Sequence, residues 1–216
     1  MNRGFFITFE GTEGSGKSTQ IKLLCEKLKQ DGLEVVLTRE PGGCKLAEGV
    51  RSLLLDGQNE ISPLAELLLF EGARAQHVSE VILPALEKGK IVICDRFIHS
   101  TIAYQGYARG LNIGLVQSLN EIAVQGCQPD LTIFLHIEPG LSFERKGGMD
   151  ECDRMEMQGM EFHQAVYRGF EEIAGQNKNF IMLDVAGNTK YETSEIVYIG
   201  EYRLKSICVI LPFDCI

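Results

Sequence analysis

The sequence predicts an α/β fold, a five-stranded parallel sheet flanked by helices, in one domain spanning 1–216. Two observations lead there. Five short apolar runs, Phe5 to Phe9, Glu34 to Thr38, Lys90 to Cys94, Leu131 to Leu135 and Phe180 to Leu183, alternate with helical patterns. Strands buried on both faces and joined by helical crossovers read as continuous apolar runs of this kind. No Pro-, Ser- or Gly-rich linker divides the chain, whose 216 residues suffice for one well-buried domain.

Each element has its own signal. After the first run, Gly11 to Ser18 reads Gly-Thr-Glu-Gly-Ser-Gly-Lys-Ser, a complete G-x-x-x-x-G-K-[ST] loop, and Ile21, Leu24 and Leu28 then recur at helical spacing. Thr38 to Gly43 follows the second run as a turn stiffened by Pro41, and Leu46 to Leu55 forms the next helical pattern. Ser62-Pro63 supplies an N-cap and a first-turn proline for a long helix predicted to reach about Glu87. Asn112 to Gln125 and Gln158 to Ala174 supply two more helices. Between them, Pro139 to Gln158 is polar, contains glycine and lacks periodicity, which suits a short mobile lid at about 139–158. The tail at about 188–216 is hardest to read: Ile207 to Phe213 leaves open an edge strand, a packed terminus or a dimer contact.

Composition narrows the function. Apolar residues make up 44% and charged residues 24%, ordinary for a soluble globular protein. A net charge of −9 gives no electrostatic footprint for nucleic acid, so any cationic site is local. The start reaches Glu10 too soon for a signal peptide, and no apolar stretch approaches membrane-spanning length, so the expected location is the cytoplasm with no membrane partner. Seven cysteines include no Cys-x-x-Cys pair, which points to reduced thiols.

The loop carries the chemistry. Gly11, Thr12, Glu13, Gly14, Ser15 and Gly16 let backbone N–H groups wrap a di- or triphosphate, the helix after them turns its positive end toward the same anion, Lys17 reaches the outer phosphates, and Ser18 is positioned to ligate Mg²⁺. Other residues must discriminate among the many users of such a loop. Asp95-Arg96 closes the third strand, where a carboxylate acts through Mg²⁺ or Lys17 and a guanidinium forks onto a phosphate. Arg39 offers a second planar fork. Phe70 and Arg74 lie four apart on one helix face, a spacing that stacks on and hydrogen-bonds a base.

Four motifs in order, Phe9 to Gln20, Thr38 to Gly43, Leu68 to His77, and Asp95-Arg96-Phe97 with Ser100 and Ala103 to Gly106, resemble thymidylate kinase. The resemblance covers roughly Phe5 to Asp184. It implies a three-layer P-loop NTPase fold and transfer of a phosphoryl group from Mg²⁺·ATP to dTMP, giving dTDP for dTTP biosynthesis. By that resemblance ATP sits on Gly11 to Thr19, Ser18 and Asp95 serve the metal, and dTMP lies where Phe70 stacks on thymine and Arg74 bonds a base carbonyl. Arg39 and Arg96 hold the acceptor phosphate, Glu13 meets the sugar 3′-hydroxyl, Tyr104 crowds out a 2′-hydroxyl, and Ser100 and Gln105 add base or sugar contacts. A homodimer packed through helices is implied as well. His77 is expected to make structural hydrogen bonds only.

The chain also departs from the family pattern. The interior of its loop holds no arginine, so the lid must supply the transition-state cation, with Arg145, Lys146 and Arg154 as candidates. Arg154 matches a family position facing the phosphates and Arg145 one near the adenine, while His136 stands where an aspartate is usual. Rival readings are a kinase for dUMP, UMP or GMP, a GTP-binding switch, and an inactive relative. A guanine pocket asks for carboxylate acceptors on the base, and a switch asks for Asn-Lys-x-Asp, whereas Asn177-Lys178-Asn179 is followed by Phe180.

Overall fold

The structure, a computed structural model, describes residues 3–148 and 153–205. Its sheet holds β1 (Phe6–Glu10), β2 (Val35–Arg39), β3 (Ile91–Asp95), β4 (Leu131–His136) and β5 (Phe180–Asp184), all parallel, in the order β2-β3-β1-β4-β5. β1 is central and wholly buried, so the loop leaving its carboxyl end emerges between the ends of β3 and β4, where open parallel sheets bind ligands. Strands extend a residue or so beyond the apolar runs because Glu10, Arg39 and Asp95 continue the ladders with polar side chains.

Nine α-helical segments accompany the sheet among the described residues: α1 (Lys17–Gln30), α2 (Lys45–Leu55), α3 (Pro63–His77), α4 (Leu83–Glu87), α5 (Ile98–Thr101), α6 (Ile113–Val124), α7 (Pro139–Lys146), α8 (Met160–Gln176) and α9 (Lys190–Lys205). On one face, Ile21, Leu24 and Leu28 of α1 and Val197 of α9 bury Ile7, Phe9, Ile133 and Leu135. On the other, Phe6, Val92 and Cys94 pack with Ile82, Leu86 and Val124, while Phe134 packs with Phe170, Val166 and Leu67. Helix, sheet and helix make the three layers.

Three local expectations are revised. The helix from Ser62 is capped as expected, Ser62 Oγ accepting from Ala65 N at 3.4 Å, but it passes through a π-helical turn at Val78–Ile82 before ending in α4. The segment expected to lack regular structure at 139–158 opens with α7, whose N-cap Glu138 accepts from Leu141 N at 3.2 Å beside a first-turn proline. Eight residues are too few to display an apolar period, so only the cap announced it. The tail continues as α9 to Lys205, while the expected strand or contact at Ile207 to Phe213, like Met149 to Cys152, lies outside the described residues. Cys25, Cys44, Cys94 and Cys127 are buried free thiols. No helix among the described residues is long and apolar enough to cross a membrane.

Candidate active site

The loop between β1 and α1 is shaped by Gly11, Gly14 and Gly16 at φ of 150°, 75° and 96°. The left-handed values at Gly14 and Gly16 favour glycine. Gly14 is also pressed by α7: a Cβ there would lie 2.1 Å from the Ser142 carbonyl oxygen. The Ser142 hydroxyl donates to the Glu13 carbonyl and pairs with Thr12 Oγ1 at 3.0 Å, so α7 rests directly on the phosphate loop. Lys17, buried, folds back and donates to the Gly11 and Thr12 carbonyls at 3.0 Å each. Burial, then the nearby Arg96 cation, lower its pKa, with Glu13, Asp95 and Glu10 opposing them.

A cavity opens over this loop, lined by Gly14, Gly16, Lys17, Ser18, Thr19, Arg39, Asp95, Arg96 and Lys146. Asp95 Oδ1 is buried without a hydrogen-bond partner, as is Ser15 Oγ. An unsatisfied carboxylate oxygen lining the same cavity as the Ser18 hydroxyl suits a hard cation that takes oxygen ligands. Arg39, at the end of β2, is exposed, and its Nη2 donates to both carboxylate oxygens of Glu48 at 3.0 and 3.1 Å.

Arg96 adopts a left-handed backbone, φ 68°, that a non-glycine residue holds only at a cost. Its surroundings hold it there. Its N–H donates to Phe9 O at 2.9 Å, its guanidinium pairs with Glu13 and reaches Ser100 Oγ at 3.4 Å, and it lies 5.3 Å from the Tyr104 ring centroid. Lys17 first, and Arg96 after it, hold the Glu13 carboxyl well below the usual carboxylate range against the effect of burial. Below this pair, the buried Glu10 carboxyl accepts from Phe97 N at 2.9 Å, Ser100 N at 3.2 Å and Ser100 Oγ at 2.6 Å. Burial pushes its pKa up to about 7 although Arg96, Ser100 and Phe97 oppose the shift.

A second pocket adjoins the first. It is lined by Phe70, Arg74, Ser100, Tyr104 and Gln105, with Asp153, Met155 and Glu156 beyond them. Arg74 is buried and anchored: Nε donates to Glu40 at 2.8 Å, and Nη1 to Glu71 at 2.8 Å, Thr101 at 3.1 Å and Asn120 at 2.5 Å. Those bonds occupy Nε and Nη1 and leave Nη2 for the pocket that Arg74 lines. Burial pushes the Tyr104 phenol up to about 12, so it stays neutral. Gln105 turns its amide nitrogen to Glu66 at 2.8 Å. His77 bridges Glu40 at 2.9 Å and Thr38 at 2.6 Å, the structural part expected of it.

The basic residues after β4 part company. Arg154, expected to face the phosphates, is folded away: Nε donates to Leu54 O at 2.7 Å, and Nη1 pairs at 2.6 Å with the fully buried Glu66, which also holds Arg109. A carboxylate as buried as Glu66 is costly unless well paired, and Arg154 shares its charge with Arg109 and the Gln105 amide. Arg145 donates to Val185 O at 3.1 Å, beyond the end of β5. Lys146 alone of the three lines the phosphate cavity. His136 stacks on Tyr167 and pairs with Glu171 at 3.1 Å, an α8 contact instead of a phosphate one.

Several site residues escaped the sequence reading. Arg51 lines both cavities, and Glu40, Thr101 and Asn120 fix Arg74. Arg51 falls inside the Leu46 to Leu55 helical pattern, with no motif of its own. Asn120 sits on a helix with no motif, and only a contact across 46 residues reveals it.

A family profile described as thymidylate kinase matches residues 9–196. The thymidylate kinase of Halothermothrix orenii is 48% identical over 199 residues, covering 91% of this chain and 95% of the relative. That of Pelobacter propionicus is 48% identical over 202 residues, covering 90% and 92%. The chain belongs to the thymidylate kinase family. It is accordingly a phosphotransferase acting on a nucleotide, with ATP as co-substrate. Among solved structures, the thymidylate kinase of Ehrlichia chaffeensis superimposes with a TM-score of 0.72 at 38% identity, over 90% of this chain and 99% of that one.

Proposed function

We propose that the chain phosphorylates dTMP to dTDP with Mg²⁺·ATP, in the cytoplasm, as a step of dTTP biosynthesis. One observation carries the mechanistic reading: the loop cavity and the base pocket share Glu13, Glu40, Arg51 and Arg96, so a donor phosphate in one meets an acceptor phosphate in the other at a junction that two guanidiniums line. Transfer between two anions is a matter of alignment and charge, since the acceptor phosphate is already ionised near neutral pH. Lys17 leaves the loop carbonyls for the donor phosphates, Arg96 holds the acceptor phosphate, and Arg39 exchanges Glu48 for the same anion. Ser18 and Asp95 would hold Mg²⁺, which would supply charge neutralisation for the donor phosphates. Gly11 to Thr19 wrap ATP, and Arg145 borders the adenine.

On the acceptor side Phe70 stacks on thymine, Arg74 Nη2 donates to a base carbonyl, and Ser100 and Gln105 border base or sugar. Tyr104, under Arg96, fills the space of a 2′-hydroxyl, and Glu13 accepts from the 3′-hydroxyl. Exposed Leu53 of α2, Leu64 and Leu68 of α3, and Leu115 and Ile122 of α6 lie on three helices packed side by side and favour a homodimer through that face. The decisive assay is ADP release from Mg²⁺·ATP with dTMP, dUMP, UMP, CMP, AMP or GMP supplied separately. Turnover that depends on dTMP, weaker with dUMP and near the blank with the others, is expected. Equal rates with every acceptor would remove the assignment of specificity to Phe70, Arg74 and Tyr104.

A further inference from the structure

We propose that Glu10, at the carboxyl end of β1, is a positioning residue for the acceptor phosphate: through the Ser100 hydroxyl and the backbone of the turn at 97–100 it sets the Arg96 guanidinium that holds that anion. The proposal deepens the phosphoryl-transfer reading above and rests on its placement of the dTMP phosphate at Arg96.

Glu10 is fully buried, and three hydrogen bonds tie its carboxyl to the turn that follows Arg96. Oε1 accepts from Phe97 N at 2.9 Å and Ser100 N at 3.2 Å, and Oε2 accepts from the Ser100 hydroxyl at 2.6 Å. Since Ser100 gives its proton inward, its oxygen is left as an acceptor for Arg96 Nη1, which reaches it at 3.4 Å. Arg96, Ser100 and Glu10 thus form a relay in which each donor points toward the sheet. The backbone is held from the same strand: Arg96, at φ 68°, donates its N–H to Phe9 O at 2.9 Å, so consecutive residues of β1 fix both the strained residue and the turn after it.

The two ends of the guanidinium have different partners. Nη2 pairs with Glu13, and Nη1 reaches Ser100. When the acceptor phosphate takes the Nη2 edge from Glu13, the Nη1 contact remains to hold the fork in place.

A carboxylate is a costly choice for a cap that only has to hold backbone. Burial disfavours its ionised form, even with Arg96, Ser100, Phe97 and Lys17 opposing the shift. A glutamine of the same shape would cap Phe97 N and Ser100 N through its oxygen without that cost. Its NH₂ would then face the Ser100 hydroxyl, which would have to accept and could no longer give its proton inward. What the carboxylate adds over the amide is the acceptor for Ser100 and a negative charge beneath Arg96, and both bear on the guanidinium.

The test uses Glu10→Gln, Ser100→Ala, Arg96→Ala and the double variant Arg96→Ala with Glu10→Gln at pH 8, above the Glu10 pKa of about 7. Calorimetry gives the Kd of dTMP and of thymidine, the same nucleoside without its phosphate, and Tm reports folding. The ratio of the two affinities isolates the phosphate contact from the base and sugar contacts. Glu10→Gln is expected to lower that ratio about tenfold, as for a lost hydrogen bond to a charged group, with thymidine affinity within about twofold of wild type and Tm no lower. Loss of stability alone does not produce that combination. Ser100→Ala breaks the relay at its middle and should lower the ratio by a similar factor. Once Arg96 is alanine, adding Glu10→Gln should leave the ratio within about twofold, because Glu10 acts through Arg96. A wild-type ratio in folded Glu10→Gln overturns the proposal, as does an equal loss of dTMP and thymidine affinity, or a tenfold fall that persists without Arg96. Should Glu10→Gln not fold, a wild-type ratio in Ser100→Ala overturns it instead. Wild-type enzyme without dTMP-dependent ADP release would overturn the parent reading and this one with it.

Discussion

Asn120, on α6, accepts from Arg74 Nη1 at 2.5 Å through its side-chain oxygen and from Thr101 Oγ1 at 3.0 Å through the same atom. One amide thus helps to fix the rotation of the guanidinium that lines the proposed base pocket. Asn120→Ala leaves Arg74 its two carboxylate partners and the Thr101 hydroxyl and removes the amide oxygen. We expect the KM for dTMP to rise about tenfold, the loss of ~1–2 kcal/mol typical of a buried hydrogen bond to a charged group, with the KM for ATP unchanged. Steady-state kinetics with each substrate varied checks this. Phe70→Ala and Arg74→Ala should shift in the same direction by more, and an equal rise in both KM values would misplace the base pocket.

Lys17 is held by the Gly11 and Thr12 carbonyls, and in the proposed reaction donor phosphates take their place. Lys17→Met keeps much of the side-chain length and loses the charge. Turnover should fall at least ~100-fold, beyond detection in an ADP-release assay. A variant within a few-fold of wild type would mean that the loop's ammonium does not act on the phosphates.

Gly14 sits at φ 75° under the Ser142 carbonyl, whereas Gly32 has φ 82° with open space around it. Alanine at either position carries the backbone strain, but only at Gly14 must α7 move. Gly14→Ala should therefore lower Tm further than Gly32→Ala, by ~4–8 °C for an added ~2 kcal/mol, and weaken ATP binding too. Equal Tm losses would show that α7 does not bear on the loop in solution.

Glu10 carries a pH signature. Its folded pKa, about 7, lies above the ordinary 4.5, so between those values the folded protein binds more protons than the unfolded chain and loses stability as pH rises. Full ionisation costs on the order of 3 kcal/mol at 1.36 kcal/mol per unit. His99, pushed down to about 3 by burial and the nearby Arg74, acts oppositely, losing stability as pH falls below about 6.5. The two slopes mask each other in the wild type, so the informative quantity is a difference. The Tm of Glu10→Gln relative to wild type should increase from pH 5 to about pH 7 and level off above it. A constant difference would show that Glu10 is ionised throughout.

The fold was largely legible in the sequence. Each strand is an apolar run because both faces of the sheet are covered, and the loop after β1 declares itself since the left-handed backbone at Gly14 and Gly16 favours glycine. α7 was not, because a helix of eight residues has one cap and no repeated period. In the site, Phe70, Arg74, Arg96, Ser100 and Tyr104 fell within local motifs and gather round one pocket. Arg51, Asn120 and the anchor Glu66 belong to no motif, since each acts on a residue far away in the chain.

The sequence by itself determined the parallel sheet, the phosphate loop and the residue types that serve it, for these depend on local backbone allowance and on the order of apolar runs. Only the tertiary structure decided among the three cations after β4. Arg145, Lys146 and Arg154 are interchangeable as charges in a string, but a buried Glu66 captures Arg154, Val185 draws Arg145 to the end of β5, and α7 lying on Gly14 leaves Lys146 in the phosphate cavity. Where a long cationic side chain points is settled by the anions and carbonyls within its reach, and that neighbourhood exists only once the chain has folded.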